Sequence, residues 1–222
     1  MGELLSEAIA NNAAWCAAVC EAHGVPSRSG PAIWQTDASP PRYYPDVVTL
    51  APDASTAEVA QAVAGRPYAG VKDSFAQLDL APFGFRVLFE ARWLAWLPGA
   101  LPPRRWSTCR TPDALAAWQA AWAAAPEDRG TFPAAMLHGD ARFLAMIAGD
   151  AVAAGCAVYP TGRVVGMGNA FGPVDPAAAW SAALAELGDR SAVVGYTHPA
   201  EAAALVSAGA RELGPLRVWL RP

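Results

Sequence analysis

Two closely spaced turn signals constrain the fold of this chain more than any other feature of its sequence. Gly149-Asp150 separates two largely apolar stretches at 142–148 and 151–159, and Tyr159-Pro160-Thr161-Gly162 separates the second stretch from a third at 163–171. Apolar runs of strand length that are joined by such turn residues are typical of β-hairpins. We therefore predict a three-stranded antiparallel meander over these residues.

Helix and strand patterns alternate after the meander. Asp175-Pro176 combines a capping side chain with a proline at the first helical position, which predicts a helix start, and His198-Pro199 is predicted to open a second helix. Apolar runs at 191–196 and 216–220 are typical of buried strands. A meander followed by alternating helices and strands predicts a mixed α/β fold.

The prolines between 98 and 103 mark the clearest boundary in the chain. Proline interrupts helices and strands because it has no backbone N–H and a fixed φ angle. The boundary separates residues 1–98, predicted to hold a helix and an accessory α/β region, from residues 104–222. After it, 104–110 is predicted as a strand and Thr111-Pro112-Asp113 as the start of a helix.

The N-terminal region has its own alternation of helices and strands. Apolar residues recur at helical spacing over 3–23, and Ser55-Thr56-Ala57-Glu58 is a capping box for a second helix. The five prolines between 26 and 45 predict an ordered or semi-ordered loop without helix or strand. The remaining predictions are strands at 46–50, 69–72 and 86–94 and a helical turn at 74–80.

Composition limits the classes of function. The net charge is −4 and the isoelectric point about 5.3, so the chain lacks the basic surface typical of nucleic-acid binding. Lys72 is the sole lysine among 16 basic residues, a bias that we attribute to genomic composition. No apolar run reaches the ~20 residues that span a bilayer, and the acidic start does not match a secretory signal. We expect a cytoplasmic protein with a small-molecule substrate; a homodimer is left open.

Three soft ligand side chains fall on one face of the predicted first helix. Cys16, Cys20 and His23 are spaced i, i+4 and i+7, which would suit zinc if a fourth ligand came from elsewhere. The same face carries Ile9 and Val19, so the thiols can instead be part of the core. The packing interpretation is favoured, and no metal is predicted.

The order of elements over 104–221 resembles that of the GNAT acyltransferase superfamily. Val193-Val194-Gly195-Tyr196 and Gly214-Pro215-Leu216-Arg217-Val218-Trp219 are similar to the C-terminal part of bacterial GNAT-like proteins, and 165–171 is similar to their fourth strand. The resemblance implies a GNAT-like mixed sheet of the α+β type. The N-terminal region resembles the second half of the same fold, so it is either a second GNAT-like half or an unrelated extension.

This resemblance implies a function. Members of the superfamily move an acyl group, often acetyl, from acyl-coenzyme A to an amine, so the implied activity is N-acyl transfer to a small amine or an amino-acid-like acceptor. Acetyl-CoA or another acyl-CoA would be the co-substrate. The alternative is a non-catalytic ligand- or protein-binding module with a degenerate coenzyme A site.

The resemblance also implies where the donor would bind. Gly166, Met167, Gly168 and Asn169 match the family's bulged fourth strand, whose backbone contacts the acyl carbonyl, and Gly172 lies in the loop that holds the pyrophosphate of coenzyme A. This loop, Phe171-Gly172-Pro173-Val174-Asp175-Pro176, departs from the family pattern. Its prolines remove two N–H donors, and Asp175 adds a carboxylate that would repel a phosphate.

Two residues are candidates for proton transfer. The family's usual tyrosine on the last helix is replaced here by Leu205 and Val206, so we predict that Tyr196, at the end of the preceding strand, is the general acid. His138, two residues before Asp140, is the candidate base. Each has a structural alternative, namely a packed ring for Tyr196 and turn hydrogen bonds for His138.

Overall fold

The computed structural model describes residues 2–99, 101–102 and 104–222, which form five α-helices and eleven strands. The helices are α1 (Glu3–Ala22), α2 (Thr56–Ala62), α3 (Pro112–Trp122), α4 (Pro176–Leu184) and α5 (Pro199–Ser207). The strands are β1 (Ser27–Ser29), β2 (Ile33–Thr36), β3 (Val47–Thr49), β4 (Ala69–Asp73), β5 (Arg86–Trp96), β6 (Ser107–Thr108), β7 (Arg142–Ala148), β8 (Ala151–Thr161), β9 (Val164–Phe171), β10 (Ala192–Thr197) and β11 (Arg211–Arg221). Over these described ranges, no helix is long and apolar enough to cross a membrane.

All eleven strands belong to one mixed sheet in the order β1-β2-β3-β4-β11-β5-β10-β9-β8-β7-β6. The antiparallel pairing of β7 with β8 and of β8 with β9 confirms the predicted meander. β9 then pairs in parallel with β10, and α4 makes the crossover between them. The closing strand β11 begins at Arg211, five residues before the predicted start, and β6 is shorter than predicted.

The two halves of the chain exchange their last strands. In the N-terminal half, the meander β1-β2-β3 leads through α2 to β4, parallel to β3, and the half ends in β5. The C-terminal half repeats this order with β7-β8-β9, α4, β10 and β11. β5 pairs with β10, β11 pairs with β4, and β5 and β11 pair with each other. The halves therefore share one topology, and each supplies a strand to the other.

The division of the chain into residues 1–98 and 104–222 stays a prediction. Its boundary includes Ala100 and Pro103, which lie outside the described residues. The sheet itself continues from one region into the other, because β5 lies between β10 and β11.

Two predictions for the N-terminal region are wrong. The segment 26–45, predicted as a loop, contains β1 and β2, and its prolines lie outside both strands, where they interrupt no ladder. The helical turn predicted at 74–80 is instead a non-helical turn. The Asp73 carboxylate holds this turn by accepting hydrogen bonds from the N–H groups of Phe75, at 3.3 Å, and Leu78, at 2.9 Å.

Helices cover both faces of the sheet. Along β5, Leu94 and Trp96 pack against α4 and α5, whereas Trp93 and Ala95 pack in the cluster that includes Ile9 of α1. This alternation follows from strand geometry, because successive side chains point to opposite faces. α1 contacts β8 and β9, so it lies directly over the strands that lead into the site.

Candidate functional site

β9 and β10 separate at their C-terminal ends. Their parallel ladder is limited to Ala192, Val193 and Val194 of β10, paired with residues 164–166 of β9. A cleft of about 370 Å³, which we call the interstrand cleft, opens beyond the last pair. Residues from β9, α4, β10 and α5 line it, including Met167, Gly168, Asn169, Phe171, Trp180, Tyr196 and Glu201. The two strands are therefore adjacent at the start of β10 and diverge beyond it.

β9 carries a bulge where the cleft opens. Between the pairs formed by Gly168 and Phe171, two residues of β9, Asn169 and Ala170, lie opposite a single residue of β8, Cys156. Asn169 has a left-handed backbone with a φ angle of 53°, which asparagine tolerates better than most residues. A bulge redirects the strand and takes its backbone groups out of the ladder. The predicted bulge exists, and it is centred on Asn169 and not on the glycines.

Gly166 and Gly168 have different roles. A side chain at Gly166 would collide with the amide of Asn11 on α1. That amide donates to the carbonyl oxygen of Tyr159, at 2.8 Å, and to the hydroxyl of Thr161, at 2.7 Å. Gly166 therefore allows α1 to seat on the sheet, whereas a Cβ at Gly168 would meet nothing within 4 Å. Gly168 leaves open space where the strands diverge.

A second cavity of about 140 Å³, which we call the inner cavity, lies beneath α1. Its lining residues come from α1, from Tyr43 and Tyr44, and from β4, β5, β8, β9 and β10. Met167, Gly168, Asn169 and Tyr196 line both the inner cavity and the interstrand cleft. The two spaces therefore meet where β9 and β10 diverge.

Tyr196 stands at this meeting point, near the end of β10. Its ring packs edge-on against Trp93, with 5.3 Å between ring centroids, and the Nζ atom of Lys72 lies 4.8 Å from its ring centroid. Gly195 precedes it, and a Cβ there would lie 2.5 Å from the carbonyl oxygen of Met167. Close backbone contact at Gly195 and ring contacts on Trp93 and Lys72 fix the position of the phenol.

Lys72 carries the charge of the inner cavity. Among the described residues that line this cavity, it is the one with a formal charge. It is 6% exposed, and its Nζ donates to Oδ1 of Asn12 at 2.7 Å. Burial opposes the ammonium form, but the phenol of Tyr196 and the thiol of Cys16 nearby hold the pKa of Lys72 above its ordinary value. Lys72 is therefore a buried cation.

Sequence reasoning missed Lys72. The single lysine was attributed to composition. The signal that was overlooked is the position of Lys72 after Val71 in a predicted apolar strand. A charged residue in such a strand needs a buried partner or a ligand.

Two further polar groups of the inner cavity are neutral. The hydroxyl of Tyr44 accepts a hydrogen bond from Nε1 of Trp15 at 3.1 Å, and burial, above all, raises the pKa of Tyr44 well above its ordinary value. Burial also raises the pKa of the Cys16 thiol. A protonated thiol is a poor nucleophile, so these groups suit hydrogen bonding and packing better than covalent catalysis.

The N–H groups in the first turn of α4 are already hydrogen-bonded to acceptors of the same chain. Asp175 caps the helix, and its Oδ1 accepts from the N–H of Ala177 at 2.9 Å. The carbonyl oxygen of Asp175 accepts from Ala178 at 2.8 Å. Pro176 has no N–H to offer. The helix start is therefore already satisfied within the chain, and it carries a negative charge.

The loop before α4 likewise offers few free N–H groups to a ligand. Pro173 lacks an N–H, and the N–H of Val174 donates to the carbonyl oxygen of Gly172 at 2.9 Å. Gly172 has a φ angle of 104°, and a Cβ there would lie 2.5 Å from the carbonyl oxygen of Ala153. The loop needs glycine at 172 for its backbone. The residues at this helix start do not fit a pyrophosphate.

His138 lies apart from Tyr196. It is exposed at the end of the 3-10 turn Ala134–His138, and it lines a separate surface depression with Met136, Asp140 and Tyr159. Neither the interstrand cleft nor the inner cavity includes it. The structure thus does not bring the two predicted catalytic residues together.

The three predicted soft ligands do not form a metal site. Cys16 and Cys20 are buried among Trp34 and Val48, and Nε2 of His23 lies 3.0 Å from the carbonyl oxygen of Thr131. Burial, followed by the neighbouring Cys16, raises the pKa of Cys20 to about 12. In the part of the chain that the structure describes, no three His, Cys, Asp or Glu side chains are placed to hold a metal ion.

Comparisons with known proteins identify the fold. No protein-family profile and no curated protein matches the chain. A GCN5-related N-acetyltransferase from Kribbella flavida superposes with a TM-score of 0.62 at 13% identity, over 95% of each chain. A GNAT-family protein from Novosphingobium aromaticivorans does so with a TM-score of 0.58 at 14% identity, over 96% of this chain and 97% of the other. A conserved protein of unknown function from Staphylococcus epidermidis gives 0.60 at 7% identity, over 87% and 92%. At these identities the likeness shows a shared fold.

Proposed function

We propose that this chain, which has the fold of the GCN5-related N-acetyltransferases, transfers an acyl group from a coenzyme A thioester to a small amine. One observation carries the proposal: the interstrand cleft and the inner cavity share Tyr196 and the bulge of β9. Two substrates that react with each other must be held with their reacting atoms in contact, and these two spaces meet at one point. The cleft would hold the donor, and the inner cavity the acceptor.

The bulge and the strand edge suit the thioester end of the donor. Beyond Gly166 the edge of β9 that faces β10 has no strand partner, so its backbone groups can bind an extended chain with amide groups, such as a pantetheine arm. The backbone around Asn169 is redirected at the point where the acyl carbonyl would lie. These features support a donor that lies along the cleft.

Tyr196 supplies the proton in this scheme. As the acceptor nitrogen attacks the carbonyl carbon, a C–N bond forms, the C–S bond breaks and the sulfur leaves as a thiolate. The phenol donates its proton to that thiolate, and the proton lost by the amine restores the phenol through solvent. General acids typically contribute about 10²–10⁴-fold to such steps.

The start of α4 does not support the usual seat for the pyrophosphate of coenzyme A. Two prolines, three hydrogen bonds within the chain and the carboxylate of Asp175 leave little for an anion there. The proposal therefore places only the thioester end and the pantetheine arm in the cleft. The same observation favours a second candidate function, a non-catalytic binding module that has lost the donor.

A pair of glycine variants tests the proposal. The side chain in Gly168→Val would enter the open space where the two cavities meet. Gly130 is the control position, because a Cβ there also meets nothing within 4 Å and the residue is exposed in the 3-10 turn Pro126–Gly130. Acetyl-CoA should raise the melting temperature of the wild type and of Gly130→Val, because a ligand that binds the folded state stabilises it. Gly168→Val should lose that shift while its unliganded melting temperature changes by only a few degrees. An equal shift in Gly168→Val would overturn the placement of the donor.

A further inference from the structure

The charge of the inner cavity is unbalanced. Among the described residues, the ion pairs of this chain all involve arginine, and Lys72 takes part in none of them. The neighbouring carboxylate on β4, Asp73, is engaged by the N–H groups of Phe75 and Leu78. A buried ammonium with no carboxylate partner among the described residues can pair with a bound anion, so such a ligand would be favoured there.

The hydrogen bonds of Lys72 are incomplete. An ammonium group has three N–H donors, and one of them goes to Oδ1 of Asn12. The Tyr196 ring attracts the charge at 4.8 Å, and its phenol oxygen interacts with a second N–H donor. The ammonium therefore still has a donor left for a ligand in the cavity that it lines.

A second donor lies in the same cavity. The Tyr44 hydroxyl accepts from Trp15, so its own proton is available to a ligand. One cation and neutral hydroxyl donors match a monoanion such as a carboxylate. A phosphate, with up to two charges, normally takes several backbone N–H groups or arginines. The cavity faces α1 through Ala8–Cys16, mid-helix, where N–H groups are used within the helix.

The position of this subsite determines what the acceptor would be. Lys72 touches Tyr196, and Tyr196 borders the cleft that would hold the donor. A carboxylate on Lys72 thus places a neighbouring amino group next to the proton donor. We propose that Lys72 binds the carboxylate of the acceptor, which is a small amino acid or a close analogue. This inference rests on the proposed function, whose acceptor class it names.

The sole lysine makes a direct test simple. In protein made with 13Cε-labelled lysine, the one side-chain signal reports on Lys72 without assignment. Glycine, L-alanine and L-serine would be titrated into the labelled protein, and their amides, in which only the carboxylate is replaced, would be titrated in parallel. We expect the acids to move the Lys72 signal and to bind at least about tenfold more tightly than the amides, as one charged hydrogen bond allows.

Two variants complete the test. Lys72→Met keeps the length of the side chain and should reduce the preference for acids to within about twofold. Arg86→Met removes an exposed charge on a different strand, β5, and should keep the wild-type preference. Acids that leave the Lys72 signal unmoved, or amides that bind as well as acids to the wild type, would overturn the proposal, even if Lys72→Met does not fold.

Acetyl-CoA binding, measured on the same samples, separates this inference from the proposed function. If acetyl-CoA binds and no acid reaches Lys72, the carboxylate subsite is wrong and acyl transfer stands. If the acids bind through Lys72 and acetyl-CoA does not bind, the subsite stands as an anion site and the acyl-transfer function falls.

Discussion

Tyr196 is held by contacts that do not involve its hydroxyl. Its ring meets Trp93 on one side and the Lys72 ammonium on another, and both contacts would survive loss of the oxygen. The phenol oxygen also interacts with Lys72, but its removal would leave the packing of the ring in place.

Tyr196→Phe should leave the melting temperature within a few degrees of the wild type and reduce acyl transfer at least about tenfold. Tyr68→Phe, at an exposed tyrosine, is the matched control and should change neither quantity. Turnover and melting would be measured on the same preparations. Undiminished turnover in Tyr196→Phe would show that another group protonates the thiolate.

Lys72 should stay charged across the neutral and mildly alkaline range. Burial lowers its pKa, but the charge interactions with Tyr196 of β10 and Cys16 of α1 and the hydrogen bond with Tyr196 hold the folded-state pKa above the ordinary value. A raised pKa contributes stability below the ordinary lysine pKa of about 10.4, and that contribution is lost as the pH rises through the folded value. The 13Cε signal should not titrate between pH 6 and 10; a midpoint inside that range would contradict a cationic Lys72.

The sequence identified some of these residues and missed others for a physical reason. Tyr196 and the stretch from Gly166 to Asn169 could be named as candidates because strand ends and strand glycines leave local signals, and their roles stay predictions. Lys72 was not, because its partners Asn12 and Tyr196 are distant in sequence and meet only through the sheet.

At the scale of elements, the start of α4 is the feature that should limit the affinity for coenzyme A. Asp175→Asn keeps a capping side chain and removes the charge, so the melting temperature should hold, and affinity for coenzyme A should stay the same or rise. Asp113→Asn, in the first turn of α3, is the control and should leave that affinity unchanged. Calorimetric titration of both variants would measure the effect; a large loss of affinity in Asp175→Asn would make Asp175 a ligand contact.

Local signals decided which elements could be predicted. The meander β7-β8-β9 was predicted because Gly149 and Gly162 mark its turns within a few residues. β1 and β2 were missed because they are short and lie between Pro26, Pro31 and Pro40, so that the proline count concealed them. Short strands near the edge of a sheet tolerate such neighbours better than central strands do.

At the scale of the whole molecule, the exchange of β5 and β11 creates the site. It brings β4 of the first half, with Lys72, into the same sheet as β10 of the second half, with Tyr196. No local pattern predicts this pairing, because the partners of β5 lie about a hundred residues away in sequence. The order of patterns indicated a repeat as one of two alternatives, but it did not indicate the exchange of strands.

Mass spectrometry of an acyl-transfer reaction tests the central claim most directly. The full chain would be incubated with 13C-acetyl-CoA and a mixture of glycine, L-alanine, L-serine and simple amines, with release of free thiol followed in parallel. We predict that an amine gains the labelled acetyl group in amounts that match the thiol released, and that Tyr196→Phe and Gly168→Val reduce both by at least about tenfold. Acetyl-CoA that binds in the interstrand cleft but yields no labelled amide with any acceptor would contradict the claim and leave the non-catalytic function in its place.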